Sequence, residues 1–471
     1  MKRACETEMD GAKPGISLAT PACFADWPSL IIKRIMLEQI ILENMGLAPR
    51  LTFDFGPRLN VITGDNGVGK TFILDSAWFA LTRTWAGDRV IIPPPGAAVA
   101  LIRYHVHGKG GPNTAVTCDF DRKEQRWKLP RRRPLMPGLV LYARVDGGFS
   151  AWDPARNYWR TSPGADEVSE YHTEKARPDK FDFDGQSLWE GLRLPDGAVV
   201  CRGLIEDWET WRLKGNGDFK LLERVLDRLS PNENERLLPG AARKVSMLDS
   251  REIPTLRLPY GEVPITQISA GMKRILALAY FLVWAWTEHK RAVQLTGDAV
   301  TQQVIVLLDE VEAHLHPQWQ RRLLPAVLEA VQNILLSNEQ ITIQTIATTH
   351  APLVLSSIET RFNVATDKLF NLKVTNRRQV AVEEIPWAKQ GDVISWLTSD
   401  MFELGSGYNA EAERAMQAAD DFMAGLTIQL PPDLRTREAI EAELRRTLPG
   451  DDPYWVNWIG ANGPPASVTP S

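Results

Sequence analysis

From Ile32 the run Ile-Lys-Arg-Ile-Met-Leu-Glu-Gln-Ile-Ile-Leu-Glu-Asn predicts an opening strand or two, and Leu51-Thr52-Phe53-Asp54-Phe55 alternates with period two. A turn at Gly56-Pro57 leads into the apolar run Leu59-Asn60-Val61-Ile62-Thr63, and from Phe72 to Thr84 apolar residues recur at helical spacing. Between Val90 and about Leu258 the texture changes. Pro93-Pro94-Pro95-Gly96, Gly108 to Pro112 and Pro134 to Gly138 punctuate short runs such as Val116–Phe120 and Leu139–Ala143, which predict strands joined by turns. Leu221 to Leu229 predicts a short amphipathic helix, and no heptad run appears in the segment. The apolar window Ile275–Trp286, about a dozen residues where a membrane span needs about twenty, predicts a buried helix. Val304–Leu308 and Ile341–Ala347 are continuous, β-branched runs of the kind buried on both faces of a parallel sheet.

The pattern predicts an α/β chain: a mixed sheet flanked by helices, an insertion rich in short strands and loops, and a helical C-terminal region. The expected division is a flexible leader over 1–30, core over 31–90, an inserted regulatory region over 91–260, core again over 261–375, helices over 376–460 and a flexible tail over 461–471. At 471 residues, 44% hydrophobic and 24% charged, the composition is that of an ordinary globular protein. A net charge of -5 does not advertise nucleic acid. Locally, Arg122–Lys128 and Arg131-Arg132-Arg133 form the densest basic patch, read as a solvated hairpin before a nucleic-acid contact. The tryptophans at 152, 159, 189, 208 and 211 read as wedges fixing loops onto a core. Cys5, Cys23, Cys118 and Cys201 include no C-x-x-C pair, which argues against zinc and a disulfide framework and for a reducing cytoplasm. The first thirty residues lack the apolar stretch of a secretory signal.

Four short stretches carry chemistry. Gly64-Asp65-Asn66-Gly67-Val68-Gly69-Lys70-Thr71, between a predicted strand and a predicted helix, is a phosphate-binding P-loop. Its glycines let backbone N–H groups approach phosphate oxygens, Lys70 supplies a point charge, and Thr71 offers a hydroxyl to Mg2+. Ser269-Ala270-Gly271-Met272 opens the apolar helix with small residues and free N–H groups, a weak signal alone because Ser is a good N-cap. Asp309-Glu310 ends a buried strand, where two carboxylates are costly unless something pairs with them; a structural salt bridge would do so, but open α/β sheets place ligands at that edge. Asp309 suits a Mg2+ shell and Glu310 suits orienting a water. His350 ends the next buried strand and is placed to reach a γ-phosphate.

In that order these elements resemble the ATPase heads of the ABC superfamily, in particular the RecF, SMC and overcoming-lysogenization type. The run Glu312-Ala313-His314-Leu315-His316-Pro317 also matches that type's wording. The resemblance implies two Mg-ATP molecules buried in a head-to-tail dimer or higher homo-oligomer. It places Lys70, Thr71, Asp309, Glu310 and His350 in cis, and Ser269 and Gly271 in trans. Ala270 and Met272 depart from the usual Ser-Gly-Gly wording, and Gln125 and Gln186 are candidates for a Gln switch loop. An insert of about 200 residues without heptads is too short for a coiled-coil tether, and about 120 residues after His350 are marginal for a fused nuclease domain.

Gly391–Leu404 and the Ala- and Glu-rich helix after it resemble the C-terminal helices of Septu-type antiphage ATPases. That implies a separately encoded effector such as an HNH nuclease. Glu411, Glu413, Asp420 and Asp421 read as a solvated helix face. The expectation is a cytoplasmic ATPase without a membrane partner that controls a nuclease. A RecF-like DNA-repair ATPase using the basic patch is the alternative.

Overall fold

The computed structural model describes residues 37–462 except 97, 107–114, 130–135, 158–176, 216, 336–340, 400 and 403–406. The expected leader over 1–30, most of the expected tail over 461–471 and the triplet Arg131-Arg132-Arg133 lie outside the described residues.

The main sheet has eight strands in the order Val380–Glu384, Lys368–Val374, Leu59–Gly64, Thr342–Thr348, Gln303–Leu308, Leu139–Ala143, Phe149–Trp152, Phe181–Phe183. The five from Lys368–Val374 to Leu139–Ala143 run parallel, and antiparallel strands close both edges. The β-branched runs form its centre because both of their faces are covered. Val304, Val306 and Leu308 join one core, while Ile305 and Leu307 join the other.

The first of these cores lies under the 27-residue helix Ala270–Thr296, apolar around its whole circumference from Ile275 to Trp286, and under helices Gly217–Leu229, Leu323–Glu329 and Pro352–Ile358. Among the described residues no helix is long and apolar enough to cross a membrane. The other core encloses the P-loop helix Lys70–Thr82 beneath a second, antiparallel sheet ordered Arg50–Asp54, Leu37–Glu43, Leu101–Val106, Val116–Asp121, Arg126–Trp127.

This layout departs from an insertion running over 91–260. Leu101–Trp127 completes the second sheet, and Leu139–Ala143 and Phe149–Trp152 sit in the main one. The reason is pairing: Leu37–Glu43 bonds on both sides, to Arg50–Asp54 and to Leu101–Val106, so the later strands cover an edge that the early ones would leave open. One amide joins the two sheets. The fully buried Gln344 donates to the carbonyls of Leu37 (3.0 Å) and Gly56 (2.9 Å) and accepts from Leu37 N at 2.9 Å.

The C-terminal region is helical. Ala410–Met423, Arg437–Thr447 and Tyr454–Asn462 pack around their own core of Ala412, Ala415, Ala419, Ile440, Leu444 and Trp458. Asn409 and Thr436 cap the first two, each accepting from a backbone N–H three residues on.

Candidate nucleotide site

Gly64, Gly67 and Gly69 have φ of +137°, +82° and +96°, in the left-handed half of φ space that favours glycine. Two of them are also crowded. A Cβ on Gly64 would lie 2.4 Å from Leu372 O, and one on Gly69 would lie 2.3 Å from Leu47 Cδ1. The loop therefore folds back with Asp65, Asn66 and Gly67 exposed at its tip and Val68 buried beneath. Gly69 is the N-cap of the following helix and offers no side-chain cap, so the first-turn N–H groups stay available to an anion. Lys70 is buried, and its ammonium donates to the carbonyls of Gly64 and Asp65, each at 2.8 Å. Burial pushes its pKa below the ordinary lysine value, against the opposing pull of Glu310, Glu312, Asp309 and Asp65.

The neighbouring strand ends bring the acids to the same edge. Asp309 is buried, and its Oδ1 accepts from Thr348 Oγ1 at 2.8 Å. Its Oδ2 is buried with no hydrogen-bond partner, while the Thr71 hydroxyl lies near enough to oppose the upward push of burial on the carboxyl's pKa. A buried oxygen without a donor, beside a threonine hydroxyl at the mouth of a P-loop, fits a hard divalent cation such as Mg2+. Glu310 takes φ +44°, uncommon for a non-glycine residue, and its N–H donates to Thr348 Oγ1 at 2.8 Å. That turn aims the chain away from the strand and leaves the Glu310 side chain half-buried.

His350 is held by Glu312. The His350 N–H donates to Glu312 Oε1 at 2.6 Å, and its Nδ1 lies 2.9 Å from the same oxygen. The contact with Glu312 raises the imidazole pKa above its ordinary value, with burial opposing. Burial alone would raise Glu312, yet the contacts from His350 and Thr349 outweigh it and hold the carboxyl below its ordinary range. The structure thus gathers Lys70, Thr71, Asp309, Glu310 and His350 at one sheet edge, and adds Glu312 and Thr348.

Ser269 and Ala270 are exposed at the N-terminus of the long helix, where Ser269 accepts from Met272 N at 3.3 Å. Gly271 is buried against the acidic turn, and a Cβ there would lie 2.9 Å from His314 O. One turn on, Arg274 donates to the carbonyls of Asp309 (3.1 Å), Glu310 (3.3 Å) and Val145 (3.2 Å). The helix opened by Ser269-Ala270-Gly271, the signature in the resemblance above, is therefore tied in cis to the backbone of the acidic turn, while Ser269 and Ala270 face outward. Gln125 is spent in its own hairpin turn, donating to Arg122 O at 2.6 Å, and Gln186 is exposed ahead of a four-residue helix. In the described half of the basic patch Lys128 is paired with Asp119 (2.8 Å) and Asp121 (3.7 Å). These residues lie on the hairpin that joins Val116–Asp121 to Arg126–Trp127, with Lys123, Arg126 and Lys128 exposed.

Residues 201–356 match the family described as "AAA domain, putative AbiEii toxin, Type IV TA system", and residues 39–136 match a second described as "AAA domain". The chain is 25% identical to the Septu protein PtuA of Bacillus thuringiensis over 386 residues, covering 78% of this chain and 83% of that one. It is 29% identical over 143 residues to the "Retron Ec83 probable ATPase" of Escherichia coli, covering 30% of this chain. There it spans about a fifth (22%) of the relative's length. Among solved structures, the SMC head domain from Thermotoga maritima aligns with 75% of this chain and 100% of that one, at 14% identity and a TM-score of 0.37. With one AAA-domain match lying over the P-loop, the other over the acidic strand, and the edge geometry above, the chain is a P-loop ATPase similar to the Septu protein PtuA.

Proposed function

We propose that the chain binds and hydrolyses Mg-ATP in a head-to-tail dimer, and that its nucleotide state controls a separately encoded effector, a nuclease such as an HNH enzyme, in antiphage defence. The observation that carries this reading is the division of the site. Lys70, Thr71, Asp309, Glu310 and His350 share one edge, whereas Ser269 faces solvent on a helix that its own Arg274 fixes to that edge. A site with an outward-facing signature is completed by a second copy.

Mg2+, when bound between Thr71 and Asp309, would neutralise charge on the phosphates. The chain's residues do the rest. P-loop N–H groups and Lys70 hold the phosphates, and Glu310 orients the attacking water and accepts its proton. His350 contacts the γ-phosphate, and Ser269 of the partner subunit closes over it. Loss of the γ-phosphate removes the bridge and reopens the dimer. The effector assignment is carried by the similarity to the Septu protein over most of both chains.

Glu310→Gln keeps the shape and removes the base. It is expected to bind ATP at native affinity, lower turnover by about a hundredfold or more, and accumulate as an ATP-dependent dimer by native mass. Turnover at the native rate would overturn the assignment of Glu310. A native chain that stays monomeric with ATP would overturn the dimer.

A further inference from the structure

Glu312 is the most committed side chain at the site, although the sequence gives it no role beyond opening a run that matches the family's wording. It is 4% exposed, and both carboxylate oxygens are used. Oε1 takes the His350 N–H at 2.6 Å and sits 2.9 Å from Nδ1, and Oε2 accepts from Thr349 Oγ1 at 2.8 Å. The Thr349 hydroxyl in turn accepts from Ala351 N at 3.0 Å. One carboxylate thereby fixes the backbone on both sides of the histidine and lies 2.9 Å from a ring nitrogen, Nδ1, that is buried with no hydrogen-bond partner and needs only a small ring rotation to meet it. A buried carboxylate is expensive without a cationic partner, and the other cations that feel it, Lys70 and Arg274, donate to backbone carbonyls instead.

We propose that Glu312 is a positioning residue for hydrolysis: it holds His350 by Nδ1 as half of an imidazolium–carboxylate pair, so that Nε2 is the ring atom presented to the terminal phosphate of ATP. The inference rests on the reading of His350 as the γ-phosphate contact. The charged groups facing the ring come from two elements. Glu312 and Glu310 on the acidic turn favour its protonated form, and Lys70 on the P-loop helix opposes it. A carboxylate that fixes one imidazole nitrogen determines which nitrogen meets the ligand and how long the ring stays charged as pH rises.

The test uses the full chain with Glu312→Gln, His350→Ala and the double variant, measuring ATP binding and steady-state hydrolysis from pH 6 to 9. Expected for E312Q is ATP binding within about threefold of native and little loss of turnover at pH 6. At pH 8 the loss should reach about tenfold or more, because the alkaline limb of the profile moves to lower pH. The double variant should be no slower than His350→Ala alone, the mark of residues acting as a unit. A loss equal at every pH, or losses that multiply in the double variant, would overturn the proposal.

If E312Q fails to fold, the imidazole 15N shifts of His350 in the native chain decide, assigned by their absence in His350→Gln. A ring titrating above a free imidazole supports the pair, and one titrating at or below it overturns the pair. Absence of any turnover by the native chain would instead sink the ATPase reading, so the two failures are distinguishable.

Discussion

Asp207 shows what burial costs a carboxyl that no ligand relieves. Its Oδ2 accepts from Tyr280 OH at 2.7 Å inside the helical layer, and burial pushes its pKa up to about 6 despite that bond. The folded chain therefore holds a proton that the unfolded chain releases at lower pH. Stability falls as pH climbs from about 4 to about 6 and stays lower above. Asp207→Asn, which can still accept from Tyr280, is expected to stabilise the chain by ~1–2 kcal/mol at pH 7.5 and by little at pH 4. Thermal melting at the two pH values checks it, and equal shifts at both would refute the cause. Lys70, Thr71, Asp309 and Glu310 were readable in the sequence because glycine spacing and a β-branched run announce a loop and a strand end. Glu312 and Thr348 were not, since nothing in Glu312-Ala313-His314 or in Ala347-Thr348-Thr349 says which side chain turns inward.

At the scale of elements, the signature helix is the part whose position was hardest to foresee. The small residue at Gly271 reads as room for a phosphate, and the resemblance assigns it to the partner's nucleotide. The geometry adds a use in cis: the helix runs close over His314 O, where a methyl group would intrude. Gly271→Ala is expected to leave ATP binding within about twofold and lower turnover by about tenfold, by pushing the helix off the acidic turn. Native turnover in G271A would show that the contact gives way freely. Elsewhere, period-two alternation in Leu101–Val106 and Val116–Asp121 reports a buried face and not a neighbour. Leu37–Glu43 is separated from its second partner by more than fifty residues, so the pairing that places Leu101–Trp127 in the core was not legible locally.

Across the whole molecule, the helices from Ala410 to Asn462 keep their own core and are joined to one another by side-chain bonds such as Tyr454 to Asp420 at 2.6 Å and, on the surface, Arg446 to Glu411 at 2.6 Å. A chain ending at Phe402 is expected to bind ATP with unchanged affinity and melt within a few degrees of the full chain, by calorimetry. Loss of ATP binding would show that the nucleotide core depends on these helices. The Gln344 amide sets a different limit on movement. Bonded to Leu37 on both backbone groups and to Gly56, it rivets the two sheets at the start of Leu59–Gly64, the end of that strand away from the P-loop, where no water could replace it cheaply. Opening the molecule along that seam would break those three bonds. A conformational change that left this seam intact would keep the Leu37 amide protected in every nucleotide state, which hydrogen exchange with and without ATP measures.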